Sequence, residues 1–323
     1  MRPEPAEQPR VSVVIPAYNS AAFLAEALDS VLGQTCAVAE IVVVDDGSTD
    51  QTPAVAASYE AAGVRYVRQK NSGPSEARNT GVRETSGDLV AFLDADDIWL
   101  PDKVETQVGH LEAHPEVDLV SGDLWFWRVD ADARRLMKTG FRYGSNPKHE
   151  IAVRNVVGNT SAVMVRRAAL EAVGGFDPAL RYGEDWDLWI RLVERSGAGF
   201  LHQPVIVYRW HSDSSSYFRD WARFTILSEL SRRAIRRTQP PWWRPILHAR
   251  RIGYVESQRT AFAAWTHMPR WRQIRHAAAA VFAFPFDDTV ARLKALFHAC
   301  VGDALFWWLH RLTRSRRSSR ASQ

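Results

Sequence analysis

Three acidic clusters stand where a strand or loop signal ends: Asp45-Asp46, Asp94-Ala95-Asp96-Asp97 and Glu184-Asp185. A hard divalent cation is held by carboxylate oxygens, with phosphate or water oxygens completing its octahedron, so an Asp-x-Asp at a strand end suits that chemistry. A solvated turn is the bland alternative. A Glu-Asp pair opening a helix also has two readings. It can supply a base that takes a proton from an attacking hydroxyl, or it can simply complement the helix dipole. Tyr18 and Asn19 close the first apolar run, and Arg78-Asn79 lie in a helical stretch. An arginine is a natural partner for a diphosphate. His211 follows Tyr208-Arg209-Trp210 and is either a metal ligand or a packed loop histidine; the sequence leaves both open.

The elements that must position these groups alternate. Val11–Pro16 is a short β-branched run typical of a strand buried on both faces. Asn19 and Ser20 are placed to cap a helical stretch reaching about Leu32. Glu40–Val44, Val64–Arg68 and Asp88–Leu93 read as further strands, with helices near Pro53–Ala62, Ser75–Glu84 and Pro101–Ala113. This alternation predicts an α/β fold, a mostly parallel sheet flanked by helices, whose ligands sit beyond the carboxyl ends of the strands. Pro16-Ala17-Tyr18-Asn19, Asp45-Asp46 and Asp94-x-Asp96 should therefore share one crevice. No GxGxxG follows the first strand, which argues against a dinucleotide oxidoreductase. Val117 to Thr139 reads as β-rich with a turn near Asp130–Ala133, and Ile151–Val165 as loop then strand. A helix from Arg167, another from near Asp185, and a strand over Phe200–Trp210 complete the pattern.

Val11-Ser-Val-Val-Ile-Pro-Ala-Tyr-Asn19, Val43-Val-Asp-Asp-Gly-Ser-Thr-Asp50, Gly73-Pro-Ser-Glu-Ala-Arg-Asn-Thr-Gly81, Phe92-Leu-Asp-Ala-Asp-Asp97 and Gly183-Glu-Asp-Trp186 follow one another. In this order they resemble the family 2 glycosyltransferases, over about residues 10–215. The resemblance implies the GT-A fold, a Rossmann-like nucleotide-binding arrangement with a mixed, mostly parallel sheet, and inversion at the anomeric centre. It implies that Asp96 binds Mg²⁺ or Mn²⁺ and that Asp94, with Ala95 between, orients the nucleotide ribose or its water shell. By the same resemblance Pro16, Ala17, Tyr18 and Asn19 line the nucleotide, with Tyr18 against the base. Asp46 accepts the base's ring N–H, which favours uracil or thymine. Asp45 is the competing choice, because adjacent strand residues face opposite ways. Arg78 and Asn79 match the segment that meets the nucleotide. Asp185 matches the catalytic base and Glu184 its neighbour that orients base or acceptor. Asn159 to Ser161 line the acceptor side. In some relatives a histidine at the place of His211 completes the metal shell.

Charge divides the chain. Residues 215–323 carry 20 Lys/Arg against 6 Asp/Glu, a net of +14, while residues 1–214 carry 21 against 31, a net of −10. Four segments are expected: a flexible stretch 1–10, a catalytic domain 11–217, a basic helical region 218–313 and a disordered tail 314–323. Arg232-Arg233 and Arg236-Arg237 share one helical face. Val290–Leu312 is amphipathic with a basic end, a pattern that lies in a membrane interface or packs on protein. Neither a signal peptide nor an apolar run of spanning length is evident. Two cysteines, Cys36 and Cys300, build no disulfide framework. The expected location is cytoplasmic, peripheral on the inner face of the cell membrane if the basic region meets anionic lipid. Nucleic acid is not an expected partner, since no recognition module accompanies the arginines.

Together these features predict a metal-assisted transfer of sugar from a nucleotide diphosphate sugar, a UDP-sugar by preference, to a glycan or lipid-linked saccharide. This is the pattern of enzymes that build bacterial surface polysaccharide. The alternative of another class is a non-catalytic nucleotide-sugar-binding scaffold at the membrane surface, against which Asp96 and Asp185 weigh. A processive synthase is disfavoured by the absence of QxxRW, of which Arg209-Trp210 is only a partial echo.

Overall fold

The computed structural model describes residues 9–140, 146–180, 182–211 and 222–238. The chain divides into two compact units, Met1–Tyr217 and Phe218–Gln323. In the first, the strands are β1 (Val11–Ala17), β2 (Glu40–Asp45), β3 (Val64–Arg68), β4 (Leu89–Phe92), β5 (Ile98–Trp99), β6 (Leu119–Arg128), β7 (Ala133–Met137), β8 (Met164–Arg166) and β9 (Gly199–Trp210). Its helices are α1 (Leu24–Leu32), α2 (Thr52–Ala57), α3 (Pro74–Arg83), α4 (Lys103–Ala113), α5 (Pro147–Val153), α6 (Arg167–Ala172) and α7 (Glu184–Ser196).

One nine-stranded sheet runs β3-β2-β1-β4-β8-β6-β9-β5, with β7 paired to β6. The half β3-β2-β1-β4 is parallel. Beyond β4 the sheet becomes mixed, because β8 enters antiparallel between β4 and β6 while β6 and β9 run parallel. The apolar runs explain which strands are central. Val13, Val14 and Ile15 of β1, Val42 to Val44 of β2 and all of β4 are buried, as strands covered on both faces must be. Helix α3 lies very close to β1. A Cβ at Gly81 would stand 2.2 Å from Val14 Cγ1, so only glycine allows this approach.

Several expectations shift by a residue or two at element ends, and three need correction. Asn19 and Ser20 do not cap α1 with their side chains. The helix starts later, at Leu24, and the Asn19 amide oxygen instead accepts from the Thr49 N–H at 2.8 Å. The helix expected over Pro53–Ala62 is α2 plus a separate 3₁₀ turn, Glu60–Ala62. The loop expected from Ile151 is the end of α5, which Asn146 caps by accepting from the Lys148 N–H at 3.0 Å, with Pro147 opening the helix.

Of the second unit, one helix is described, α8 (Ala222–Thr238). It buries Leu230, Ser231, Ala234 and Ile235 and exposes Arg232, Arg233 and Arg236, so the basic face expected there is present on the described residues. Glu229 pairs with both Arg232 and Arg233. The amphipathic stretch Val290–Leu312 and the tail lie outside the described residues. No helix among the described residues is long and apolar enough to cross a membrane.

Candidate active site

The carboxyl ends of β1, β2 and β4 open on one side, and the loops that follow them are tied together. The Asn19 N–H donates to Ser48 Oγ at 2.9 Å, the Ser20 N–H to Thr52 Oγ1 at 2.8 Å and the Ala21 N–H to Asp50 Oδ2 at 3.1 Å. Asn19 takes a left-handed φ of 49° to make this turn, a conformation that Asn tolerates. The linkage fixes the backbone of Pro16 to Asn19 and leaves the Tyr18 ring 52% exposed at the rim.

The two neighbouring aspartates after β2 have different work. Asp45 is buried and held by the Ser48 N–H at 2.7 Å and the Tyr66 hydroxyl at 2.6 Å, with Arg68 beside it at 3.8 Å. Burial alone would raise its pKa, but these hydrogen bonds and the Arg68 charge bring it below the usual carboxylate range. The same pairing, added to burial, pushes the Tyr66 hydroxyl up to about 12. Asp45 thus braces the sheet end from inside. Asp46 accepts from Gln69 Nε2 at 2.7 Å, the Ser72 N–H at 2.8 Å and the Gly73 N–H at 2.7 Å, which fixes the loop into α3. A carboxylate offers about four acceptor positions, so Asp46 retains roughly one.

Arg78 is the hub. Its guanidinium is buried and reaches Asp94 Oδ1 at 2.6 Å from one nitrogen and Glu184 Oε1 at 3.3 Å from another, lying over the Phe176 ring at 5.3 Å. Burial opposes its charge, but Asp94, Glu184 and Asp185 outweigh burial and raise its pKa further. One side chain therefore joins the Asp-x-Asp element to the Glu-Asp element. Asn79, its neighbour, is used differently. Its amide accepts from the Phe176 N–H at 2.9 Å and donates to the Phe176 carbonyl at 2.8 Å, stitching α3 to the turn before α7.

Asp94 donates its backbone N–H to Ser161 Oγ at 3.0 Å, and that hydroxyl donates to Asp97 Oδ2 at 2.6 Å. Asp97 is fully buried and also accepts the Arg209 N–H at 3.1 Å. Burial, then the charges of Asp96 and Asp94, push its carboxyl well above the ordinary range. Ser161, expected on the acceptor side, is here a support beneath the Asp-x-Asp turn, and Asn159 caps the short 3₁₀ turn Thr160–Ala162 that carries it. Ala95 is buried in that turn.

Asp96 remains partly open, and His211 Nε2 lies 3.2 Å from its Oδ2. The imidazole stacks at 4.6 Å on Phe23. Arg209 ties the arrangement down: it donates to the Asp96 carbonyl, pairs with Glu26 and lies over the Phe23 ring at 5.0 Å. Thus a carboxylate oxygen and an imidazole nitrogen, the two groups expected to hold a cation, stand side by side.

Glu184 and Asp185 open α7 after Gly183, whose φ of 74° is left-handed. Asp185 Oδ1 accepts from the Trp186 N–H at 2.6 Å, and its Oδ2 from Asn155 Nδ2 at 3.2 Å. Asn155 also closes its own turn through Gly158. Neither Asn155 nor Arg209 was singled out as a site residue from sequence. Arg209 carried a signal in its place beside Trp210 and His211; Asn155 carried none, because its role depends on a contact thirty residues away.

With this geometry in view, the comparisons with known proteins are specific. A family model described as "Glycosyl transferase family 2" matches residues 12–174. Uncharacterized glycosyltransferases of Rickettsia prowazekii and Rickettsia typhi are each 32% identical, over 63% of this chain and 65% and 64% of theirs. The chain therefore matches just under two thirds of the length of these relatives. A putative glycosyltransferase of Bacillus subtilis, EpsE, is 29% identical over 65% of this chain and 76% of its own. Among solved structures, S. aureus TarS 1-349 in complex with UDP-GlcNAc has a TM-score of 0.64 at 19% identity, covering 89% of this chain and 83% of that one. The mannosyltransferase PcManGT of Pyrobaculum calidifontis, in complex with GDP-Man and Mn²⁺, has a TM-score of 0.59 at 23% identity, over 96% and 81% of the two chains. At such identities the likeness is one of fold.

Proposed function

The chain belongs to glycosyl transferase family 2 and has the GT-A fold, and from that premise we propose that it is an inverting, nucleotide-sugar-dependent glycosyltransferase. The observation that carries the proposal is the Arg78 bridge, with Asp94 at 2.6 Å on one side and Glu184 at 3.3 Å on the other. It draws the element suited to a nucleotide diphosphate and the element suited to an acceptor around a single crevice.

The donor is a nucleotide diphosphate sugar, UDP-linked by preference, and the acceptor a hydroxyl of a glycan or lipid-linked saccharide. Tyr18 lies against the base, Asp46 uses its remaining acceptor position for a ring N–H, and Asp94 orients the ribose. Ser75 Oγ and Arg78 Nε, three residues apart on α3, are buried and have no hydrogen-bond partner among the described residues, capacity that favours an anionic ligand nearby. Asp96 and His211 fit a divalent ion, since an open carboxylate and an imidazole 3.2 Å apart can both face it. An imidazole ligand suits Mn²⁺ better than Mg²⁺, which prefers oxygen alone. When bound there, the ion would neutralise charge on the departing diphosphate.

Asp185 acts as the base. Asn155 and the Trp186 N–H fix its carboxylate, so that it can take the proton of the acceptor hydroxyl as that oxygen attacks the anomeric carbon. The bond to the diphosphate oxygen breaks on the opposite side, and the configuration at the anomeric carbon inverts. Glu184, anchored by Arg78, keeps the first turn of α7 in register with the Asp-x-Asp turn.

A thermal-shift screen of UDP- and GDP-sugars, with and without Mn²⁺, tests the donor reading. The wild type should shift with one donor only when Mn²⁺ is present, and Asp96→Ala should abolish that shift. Asp185→Asn should keep the shift while donor hydrolysis and transfer fall by about 10²–10⁴-fold. A wild type indifferent to every donor would sink the proposal.

A further inference from the structure

Six large apolar side chains are exposed among the described residues, and four of them stand on the β6–β7 hairpin: Trp125 at 37%, Val129 at 37%, Leu136 at 42% and Met137 at 39%. Such a concentration on one short ribbon marks an interaction surface, since scattered exposed residues would need no explanation. The pairing register sorts the side chains. Trp125 lies directly opposite Leu136 and Trp127 opposite Arg134, so these four share one face of the ribbon. Arg134 stacks on Trp127 with its guanidinium 4.5 Å from the ring centroid. Stacking fixes the planar cation along the face while leaving its N–H edge available. Over residues 124–138 the hairpin carries Arg128, Arg134, Arg135 and Lys138 against Asp130 and Asp132, a net positive charge within a unit that is otherwise acidic. Asp130 is taken up by Arg128, and Asp132 accepts from the indole N–H of Trp127 at 3.1 Å.

Two tryptophans, an aliphatic pair partner and a stacked arginine form the composition of a lipid headgroup interface. Indole rings sit at that depth, short aliphatic chains enter the acyl boundary, and guanidinium groups meet lipid phosphate. We propose that the Trp125/Trp127/Arg134/Leu136 face of the β6–β7 hairpin docks the catalytic unit on an anionic membrane surface. The register shows what docking would accomplish. Trp127 pairs in the sheet with Arg209, whose side chain braces Asp96, so the docking face and the Asp96–His211 pair are joined through β9. Lipid contact at the hairpin would bring the crevice to the surface where a lipid-linked hydroxyl is presented. Every residue of this face lies in the first unit.

The experiment is vesicle co-sedimentation of the full chain with phosphatidylcholine alone and with phosphatidylcholine containing about 30–40% phosphatidylglycerol, which gives a strongly negative surface. The variants are Trp125→Ser/Leu136→Ser and, separately, Arg134→Gln. Each should melt like the wild type, because the altered groups are exposed. The wild type should bind the anionic vesicles; the double variant should bind at least about 5-fold more weakly, and Arg134→Gln about 5-fold more weakly, in line with roughly 1 kcal/mol per basic residue near the surface. Unchanged binding by both variants would overturn the proposal, as would equal binding of the wild type to uncharged vesicles or none to either. A concentration-dependent dimer in the wild type that the double variant loses would assign the face to a second copy of the chain instead. Donor-dependent thermal shifts, measured alongside, report the crevice separately from the hairpin.

Discussion

The parallel half of the sheet and the β6–β7–β9 region treat their polar and apolar groups in opposite ways. At the ends of β1 and β2, Asp45 and Asp46 are held by backbone N–H groups, by Tyr66 and by Gln69, and the loops are cross-linked by Asn19, Ser48 and Thr52. The hairpin, by contrast, leaves tryptophan, leucine and arginine side chains standing in solvent. A site built of prearranged acceptors suits a small ligand of fixed shape, because no reorganisation is needed when it binds. A face of exposed aromatic and cationic groups suits a broad, deformable partner. Arg78 joins the parallel half to the start of α7, since it leaves α3 and meets Glu184 there.

Removing that joint should have the largest effect. Arg78→Met would leave Asp94 and Glu184 without their shared cation, costing on the order of 3 kcal/mol of stability and abolishing donor hydrolysis. Arg78→Lys should restore part of the stability and little of the activity, because an ammonium cannot serve two carboxylates as a fork. Urea unfolding together with donor hydrolysis checks both. Full activity in the methionine variant would show that the parallel half and α7 need no common tie.

Asn79 ties the same helix to the turn before α7 at smaller scale. Because its amide is bonded to the Phe176 backbone, Asn79→Ala should lower stability by about 1–3 kcal/mol and leave donor affinity nearly unchanged once the protein is folded. Equilibrium unfolding beside donor titration distinguishes the outcomes. Lost donor affinity at unchanged stability would return Asn79 to the nucleotide side.

The smallest effect lies at the opposite end of the parallel strands. Burial would raise the Glu40 pKa, but donors from Ser12, Ser86 and Gly87 lower it from 4.5 to about 2. A carboxylate with a depressed folded pKa adds stability above its unfolded value, and that stability is lost as pH falls through the folded value. The contribution, on the order of 1–2 kcal/mol after allowing for partial exposure, should therefore decline between about pH 4.5 and 2. Glu40→Gln should be less stable at pH 7 and show a flatter acid limb in that window, as measured by denaturant midpoints across pH.

Much of the parallel half was legible because its signals are local. The runs Val11–Ile15 and Ile41–Val44 are buried on both faces, and each ends in the polar residues that border the crevice. The segment after β7 was harder. Helix α5 escaped notice because three apolar residues, Ile151 to Val153, looked like the approach to a strand, although Asn146-Pro147 is a helix-opening pair. The choice between Asp45 and Asp46 could not be made without register, and it was the pairing of Asp45 with Ala17 and Arg68 that turned its carboxylate inward to Tyr66. Arg78 was expected near a diphosphate; its hold on Glu184 joins positions 106 residues apart, a distance no local pattern can report.

Gly81 sets the height of α3 on the sheet. It sits less than one helical turn beyond Arg78, and its single hydrogen lets α3 rest against Val14 where a methyl would be only 2.2 Å from Cγ1. Carbon atoms need roughly 3.5 Å, so any side chain here would act as a shim, lifting the helix by on the order of 1 Å. Arg78 would rise with it, and a 2.6 Å contact with Asp94 would open beyond hydrogen-bonding reach. The alignment tolerance of the whole crevice is thus gauged by a residue with no functional group of its own.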